Sequence, residues 1–470
     1  MLTRAAPPRS PADAVVDAVA ARVADIRREF LPPDVGDRAQ ALLLHALVVG
    51  LAGARTRSAA LARAAVGDAG PGRCTVLGVA EPAVPTVAAF VNGAVMHARV
   101  QEDTLGTAHP GPVVVSALLA ALADGARHTG PELLAALVAG YETIGALGGA
   151  IDAAGGLRPG LRATSVLGPA GAAVAVTALA GADDATVRQA IAHGVTLAGG
   201  LTQGLATGSD DWPLQAGWAA MSGLLAAGTA QAGGVGAASA VEGPHGLLRA
   251  CTVAPPGAVE TSEGATRRAR GAAPPDVWWL RETTSKDFPV AAFNQAPVLA
   301  ALQLRAAVPG LASCRAITVE LAPAHVAYPG IDRDRVHALP EALMSTRHCV
   351  AVALAEGHAG HATLTPPFRP GVEALADRVR LDPDPGRRQC SARVTVTDAE
   401  GCRHHADVDW RDGARWSFAQ AVERCSELRA DVPPGTDLDG LAAAVRDLPW
   451  ASTCGPLVRV LGTSSDRRAT

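Results

Sequence analysis

Apolar residues recur with helical spacing through the first half of the chain. Over residues 12–30, Val15, Val19, Val23 and Ile26 fall on one face of a helix. A pair of prolines follows and ends this pattern, because proline cannot continue a helix. Similar spacing predicts further helices over residues 34–52, 84–100, 112–124, 131–151, 166–180, 184–198 and 214–232.

The pattern changes in the second half. A polar stretch over residues 258–273 predicts an exposed linker, and segments of alternating apolar and polar residues, typical of half-buried strands, come after it. Strands are predicted over 316–321, 391–397 and 404–410, with a turn over 398–401, and helices over 295–308, 341–355 and 418–448.

These elements predict a mainly α protein with a large all-helical domain and a smaller α+β domain. The helical domain is expected over residues 1–266, with a C-terminal return over 413–470, and the α+β domain over 267–412. Hydrophobic residues make up 49% of the 470 residues but aromatic ones only 3%. The cores must therefore be built from small aliphatic side chains on closely packed helices.

Composition also excludes several classes of function. The net charge of −4 shows no basic bias, which argues against nucleic acid or an anionic membrane surface as the partner. Long uncharged runs between residues 163 and 241 are rich in Gly, Ala and Gln, so we interpret them as buried helices rather than membrane spans. Residues 1–13 lack the apolar segment of a secretory signal, and a cytoplasmic location is expected.

Metal and redox motifs are not evident. The eight cysteines form no C-x-x-C pair, which argues against a zinc knuckle or a redox motif. Cys402, His404 and His405 lie together, but the spacing favours a strand edge over a metal site. No metal and no cofactor is expected.

The strongest candidate chemistry lies just after the predicted helix over 84–100. Glu102, Asp103, Thr104 and His109 fall within eight residues, and Gly106 follows the hydroxyl. A turn at the end of an apolar helix can present acid and base groups to a cavity. The alternative is a helix cap with solvated acids, and the residues alone leave both open.

Several short motifs resemble those of the MmgE/PrpD family, which includes 2-methylcitrate dehydratases and cis-aconitate decarboxylases. The resemblance extends over roughly residues 12–450, and it depends on the order and spacing of segments that are individually weak. The matching segments are 31–35, 92–98 with 102–104 and 109–111, 140–142, 165–168 with 171–173, 242–246, 286–289 and 345–351.

The resemblance implies a fold and a type of reaction. It implies a helical domain that forms a homodimer, a smaller α+β lid, and a cavity between the two that takes small polycarboxylates. The implied chemistry is elimination or decarboxylation without a cofactor, by proton transfer and anion binding.

The family's site residues carry over only in part. Glu102, Asp103 and Thr104 fill the last three places of the family's His-Ala-Leu-Asp-Phe-Asp-Asp-Thr segment, His109 fits its His-Pro, and Lys286 fits its lid lysine. Four places differ from the family. Val100 replaces an aspartate, Arg162 falls where a histidine is usual, Trp212 replaces a lysine, and Gln215 replaces a histidine.

From these residues we expect His109 to act as a general acid or base, because its ordinary pKa is near neutral pH. Asp103 is expected to orient it or to act as the base itself, and Lys286 is the third catalytic candidate. The structural alternatives are a capping role for Asp103, a buried structural role for His109, and a domain-boundary ion pair for Lys286.

The remaining candidates are expected to contact substrate. They are Val100, Glu102, Thr104, Arg162, Trp212 and Gln215. Thr104 can donate a hydrogen bond, and Arg162 with Lys286 can hold one anionic group. Because Trp, Gln and Val cannot replace the charge of the family residues, the pocket should be less cationic and more apolar than usual. Trp212 alternatively belongs to the core.

The leading hypothesis is a lyase-type enzyme, a dehydratase or decarboxylase or a related proton-transfer isomerase. It would act on a carboxylate or enolisable small molecule, with specialised metabolism as a candidate source, and it needs neither nucleic acid nor membrane. One alternative is a cyclase that folds a polyene or polyketide by shape and proximity. A second alternative is a family member that binds a ligand without catalysis.

Overall fold

A computed structural model describes residues 13–67, 71–123, 125–253, 277–308, 310 and 313–462. The predicted linker over 258–273 lies outside the described residues. The first part of the described chain is helical, as expected. Its helices are α1 Ala14–Arg28, α2 Pro33–Gly53, α3 Arg57–Val66, α4 Pro85–His97, α5 Pro110–Leu122, α6 Gly130–Ala153, α7 Ala163–Leu179, α8 Asp184–Thr196, α9 Gln203–Thr207, α10 Asp211–Gln231 and α11 Leu247–Cys251.

Small residues let these helices pack closely. A Cβ atom added to Gly93 in α4 would lie 2.7 Å from the Cα of Gly217 in α10. In turn, a Cβ on Gly217 would lie 2.2 Å from the carbonyl oxygen of Phe90. Any larger side chain at this crossing would force the two helices apart. The expectation of a core built from small residues on closely packed helices is therefore confirmed at this contact.

Four strands form one mixed sheet in the second part of the chain. The strands are β1 Ala316–Leu321, β2 Val379–Pro383, β3 Ser391–Thr397 and β4 Arg403–Asp409, in the order β2-β1-β3-β4. Strands β1 and β2 are parallel, whereas β3 is antiparallel to both β1 and β4. The helices around the sheet are α12 Trp279–Glu282, α13 Ala292–Ala307, α14 Pro323–Val326, α15 Leu339–Met344, α16 Thr346–Glu356 and α17 Val372–Ala376.

The sequence predictions for this part are largely confirmed. Strands β1 and β3 have the predicted bounds, and β4 begins one residue earlier than predicted. Strand β2 was missed, because a five-residue edge strand has too little alternation to stand out. The single helix predicted over 341–355 is wrong: two helices meet at Ser345, whose hydroxyl accepts a hydrogen bond from the His348 backbone N–H.

The chain then returns to helix, as predicted. The C-terminal elements are α18 Phe418–Ser426, α19 Leu438–Arg446 and α20 Gly455–Leu461, with 3₁₀ turns at Trp410–Asp412, Glu427–Ala430 and Leu448–Trp450. Side chains from Trp416 to Leu461 pack in the same core as α1 to α8. A second core lies around the sheet, and we call residues 290–414 the sheet unit. The fold is thus mainly α with a four-stranded mixed sheet.

Helices α2 and α6 are long and apolar enough to cross a bilayer by length and composition alone. Most of each helix is buried, 89% of the most apolar stretch in α2 and 78% in α6. Such burial against neighbouring helices is typical of core helices, which pass the same length test. The uncharged runs between residues 163 and 241 likewise contribute buried faces of α7, α8 and α10.

Candidate active site

A cavity of about 450 Å³ lies between the helical core and the sheet unit. One side of it, which we call the helical wall, is formed by His97, His109, Arg162 and Trp212. The other side, which we call the sheet wall, is formed by Phe293, His325, Tyr328 and Arg411. Val100, Thr104 and Lys286 line the cavity as well, whereas Glu102, Asp103 and Gln215 do not.

The turn after α4 has an unusual backbone. Val100 has φ of +56°, a left-handed conformation that β-branched residues rarely adopt. Its carbonyl oxygen accepts a hydrogen bond from Lys286 Nζ at 2.9 Å. Four residues later the Thr104 backbone exchanges hydrogen bonds with Thr284, at 2.8 and 2.9 Å. These contacts fix the Lys286 segment beside the turn that carries the acids.

Glu102 and Lys286 form a fully buried ion pair. Lys286 Nζ lies 2.6 Å from Glu102 Oε1, and neither side chain is exposed. Burial works to raise the pKa of Glu102, but Lys286 and the neighbouring histidines reverse this and hold the pKa well below its usual range. Burial lowers the pKa of Lys286, and Glu102 opposes that shift. The predicted pairing of Lys286 with a carboxylate is present, and it lies at the cavity wall.

His109 lies at the cavity with one nitrogen fixed. Its Nδ1 is 2.8 Å from the carbonyl oxygen of Asp103 and 3.3 Å from Glu102 Oε1. A carbonyl oxygen only accepts, so Nδ1 carries the proton and Nε2 keeps its lone pair. Burial, and then the charge of Lys286, lower the pKa of His109 well below its usual range. The ring is 16% exposed, and in this state it is a base rather than an acid.

His97 belongs to the same cluster, although sequence reasoning gave it no role. Its Nε2 accepts a hydrogen bond from the Arg162 guanidinium, which can only donate. The proton therefore lies on Nδ1, 3.3 Å from Glu102 Oε2. Burial lowers the pKa of His97. Its position in the last turn of α4, five residues before Glu102, was a signal that could have identified it.

Asp103 faces away from the cavity. Its carboxylate accepts hydrogen bonds from the Tyr141 hydroxyl at 2.5 Å and from the backbone N–H of Gly111 at 2.9 Å. Burial raises the pKa of Asp103 to about 6, and the Tyr141 hydrogen bond opposes the rise. The carboxylate thus braces the start of α5, and only the Asp103 carbonyl reaches His109. Sequence reasoning missed Tyr141, since nothing local connects it to Asp103.

The other predicted contact residues form a network at the helical wall. Arg162 donates to the Trp212 carbonyl oxygen and lies 3.4 Å from Gln215 Oε1. Gln215 Oε1 also accepts a hydrogen bond from the Ser165 hydroxyl at 3.0 Å, so Gln215 connects Arg162 to Ser165. Trp212 is 1% exposed, with its ring edge-on to His97 at 5.5 Å between ring centroids. The Thr104 hydroxyl donates to the carbonyl oxygen of Gly106 at 3.1 Å.

The sheet wall was missed by sequence reasoning, because its residues come from segments with no recognisable motif. Burial lowers the pKa of His325 to about 4, so this ring is neutral near pH 7. The cavity lining holds four cationic side chains, of Arg158, Arg162, Lys286 and Arg411, and no carboxylate among the described residues. Losing the family lysine at Trp212 therefore does not leave the cavity without positive charge.

The histidines of β4 lie away from this cavity. His404 Nε2 is 2.9 Å from Asp398 Oδ2, across the turn that joins β3 to β4. This is the strand-edge arrangement that the sequence predicted. Within the described ranges, no three His, Cys, Asp or Glu side chains form a group that could hold a metal ion.

Comparison with known proteins agrees with this arrangement of a helical core and a sheet unit. The model of the MmgE/PrpD N-terminal domain matches residues 17–257, and that of the MmgE/PrpD C-terminal domain matches residues 288–423. A curated relative is the cis-aconitate decarboxylase-like protein oryM of Aspergillus oryzae, 34% identical over 137 residues. That match covers 27% of this chain and 28% of the fungal protein. With both domains matched in order, this chain belongs to the MmgE/PrpD family.

Proposed function

We propose that this protein is a cofactor-independent lyase that acts on a small carboxylate by proton transfer. The observation that carries the proposal is the buried Glu102–Lys286 pair, set beside a neutral His109 on the wall of a cationic cavity. General base catalysis needs a group that is unprotonated at neutral pH and is held within reach of substrate. A dehydratase or decarboxylase-type reaction is also what membership of this family supports.

In this proposal His109 Nε2 takes a proton from the carbon next to a carboxylate. The electrons of the broken C–H bond move onto the carboxylate, and Arg162 and Lys286 stabilise the developing negative charge. The leaving hydroxide then takes this proton back from His109 and departs as water, which completes a dehydration. In a decarboxylation the order differs: carbon dioxide leaves first, the electrons of the broken C–C bond stay on the substrate as a carbanion, and the carbanion takes a proton that His109 relays from solvent.

The charges around the cavity suggest how many carboxylates the substrate carries. Lys286 can still donate a hydrogen bond, but Glu102 already balances its charge. Arg158 donates to the Thr252 carbonyl oxygen, which leaves only part of its guanidinium for a ligand. Arg411 has no carboxylate partner among the described residues, and neither has Arg162, although Arg162 already donates to the Trp212 carbonyl oxygen and to His97. One or two substrate carboxylates therefore fit better than three.

The sheet unit is proposed to act as a lid, since it supplies a whole wall of the cavity. The proposed assembly is a homodimer, from the family resemblance, and the proposed location is the cytoplasm. A single measurement on purified protein separates oligomers: light scattering would give twice the chain mass for a dimer and the chain mass for a monomer.

The function itself is tested by NMR and mass spectrometry in D₂O. The protein is incubated with cis-aconitate, citrate and 2-methylcitrate, and with mono- and dicarboxylates that carry exchangeable protons next to a carboxylate. We expect deuterium incorporation or product formation with at least one mono- or dicarboxylate, and its loss in His109→Asn. No exchange with any of them by folded protein would instead favour a ligand-binding role.

Two outcomes would change the proposal in specific ways. Rapid turnover of citrate or 2-methylcitrate would mean that the ordinary family substrates are used despite Trp212 and Gln215. A larger loss of activity in Trp212→Ala than in His109→Ala would favour a cyclase that works by cavity shape, because such a reaction depends on proximity rather than on a titrating base.

A further inference from the structure

A second cavity, of about 380 Å³, lies next to the reaction cavity. It is formed by the start of α3, the start of α10 and the helix α15 of the sheet unit. Among the residues that the structure describes, Trp212 alone lines both cavities. Trp212 therefore lies at the boundary between them.

The two cavities differ in chemical character. The second cavity is lined by apolar side chains that include Pro213, Leu339 and Leu343. Its charged residues are Arg57 and Asp210, which pair with each other at 2.9 Å and are both exposed. An exposed ion pair of this kind leaves no buried charge for a ligand to bind. The second cavity thus suits an uncharged apolar group, whereas the reaction cavity suits an anion.

Packing rather than hydrogen bonding holds the Trp212 ring. The Nε1 atom of Trp212 is buried and has no hydrogen-bond acceptor among the residues that the structure describes. The ring contacts His97 edge-on, at 5.5 Å between centroids, and the Arg162 guanidinium carbon lies 5.6 Å from the ring centre. With no hydrogen bond from its N–H, what the indole contributes at the boundary of the two cavities is volume.

We propose that Trp212 determines substrate specificity by limiting the length of the apolar chain attached to the substrate carboxylate. The carboxylate lies in the reaction cavity near Arg162, and the apolar chain extends toward Trp212 until the indole stops it. Removing the indole would let the chain continue into the second cavity. This inference depends on the proposed function only for the identity of the ligand as a carboxylate.

The test is a binding series that needs no turnover. Straight-chain saturated monocarboxylates from butanoate to decanoate are titrated calorimetrically into the wild-type protein and into Trp212→Ala and Trp212→Phe. Each added methylene that enters an apolar site is worth about fourfold in affinity. We expect this gain to stop at a certain length in the wild type and in Trp212→Phe, and to continue for longer chains in Trp212→Ala.

The phenylalanine variant is the matched control, because it removes the indole N–H but keeps a ring between the cavities. A second control adds Leu339→Trp to Trp212→Ala, which refills the second cavity and should restore the wild-type limit. Circular dichroism confirms folding, and Trp212→Leu replaces Trp212→Ala if the alanine variant does not fold. The same length limit in wild type and in folded Trp212→Ala would overturn the proposal, as would an equal shift in Trp212→Phe.

Failure of the proposed function would show up separately. The protein could turn over no carboxylate and still bind longer monocarboxylates in Trp212→Ala than in the wild type. That result would keep Trp212 as the residue that limits chain length and would remove only the lyase role. If neither the wild type nor Trp212→Ala bound a monocarboxylate of any length, the proposal that the apolar chain of the substrate runs toward Trp212 would be overturned.

Discussion

The two walls of the reaction cavity differ in how firmly their polar groups are held. On the helical wall, His97 and His109 each have one ring nitrogen fixed, and both lie within 3.3 Å of Glu102. On the sheet wall, Arg411 has no carboxylate partner among the described residues, and His325 Nδ1 is buried without a hydrogen bond. The difference suggests a division of labour: the helical wall is preorganised for proton transfer, whereas the sheet wall is free to bind substrate.

Replacing the base on the helical wall should have the largest effect. We expect His109→Asn to lower turnover by about 10²- to 10⁴-fold, because it removes the proton acceptor while keeping a similar shape. Steady-state kinetics on the substrate found in the D₂O screen provides the measurement. His358→Asn is the control, since His358 is an exposed loop histidine outside the cavity, and it should leave turnover unchanged. Equal activity of the two variants would remove His109 from the mechanism.

Breaking the buried pair should mainly affect folding. Glu102→Gln leaves Lys286 buried without its counter-ion, which typically costs about 3 to 5 kcal/mol in the free energy of unfolding. Urea denaturation measures this loss. Adding Lys286→Met should recover most of the stability but none of the activity, since it removes the unpaired charge together with an anion-binding group.

A matched exposed pair serves as the control for that prediction. Arg335 and Asp377 lie 2.7 Å apart and are both more than half exposed. Asp377→Asn should leave the urea midpoint unchanged, because water already screens this pair. If Glu102→Gln were as harmless as Asp377→Asn, the helical wall would not depend on the ion pair.

Asp103 should make stability depend on pH. The pKa of Asp103 is about 6 in the folded protein against an ordinary value of 3.8, so the folded state binds the proton more tightly. Stability from this group is therefore full below pH 4 and is lost as the pH rises toward 6. The loss is about 3 kcal/mol, from about 1.4 kcal/mol per pKa unit.

The measurement compares the unfolding free energies of wild type and Asp103→Asn from pH 4 to pH 7. The difference between the two proteins should shift in favour of Asp103→Asn as the pH rises, since asparagine carries no charge at any pH. If the difference in unfolding free energy stayed constant from pH 4 to pH 7, Asp103 would have an ordinary pKa. The prediction of a raised pKa would then be wrong.

The sheet wall should respond in a different way. Arg411→Gln removes one cation that faces the cavity but no contact of the buried pair. A hydrogen bond to a charged group is worth about 1.5 to 3 kcal/mol, so KM should rise about 10- to 100-fold with little change in kcat. Arg335→Gln, far from the cavity lining, is the control. A fall in kcat without a rise in KM would place Arg411 in proton transfer and break the division between the walls.

Local patterns predicted much of the fold because each depends on neighbours in sequence. Helices α1 and α6 and strands β1 and β3 follow from spacing or alternation within a single segment. The sequence pattern did not predict that one helix ends and another begins at Ser345, because the apolar spacing continues through this residue. The cluster of acids and His109 was found for the same local reason: its members lie within one turn of chain.

The sequence by itself determined the mainly helical fold, the small-residue core and the positions of Glu102, Asp103, His109 and Lys286 as candidates. Only the tertiary structure decided which of these meet. It turned the Asp103 side chain onto Tyr141 and away from the cavity, and it brought His97 and Arg162 together across 65 residues of sequence. It also placed Trp212 on the lining of two cavities. The physical reason is that charge, burial and cavity shape arise from contacts between distant segments, which no spacing within one segment records.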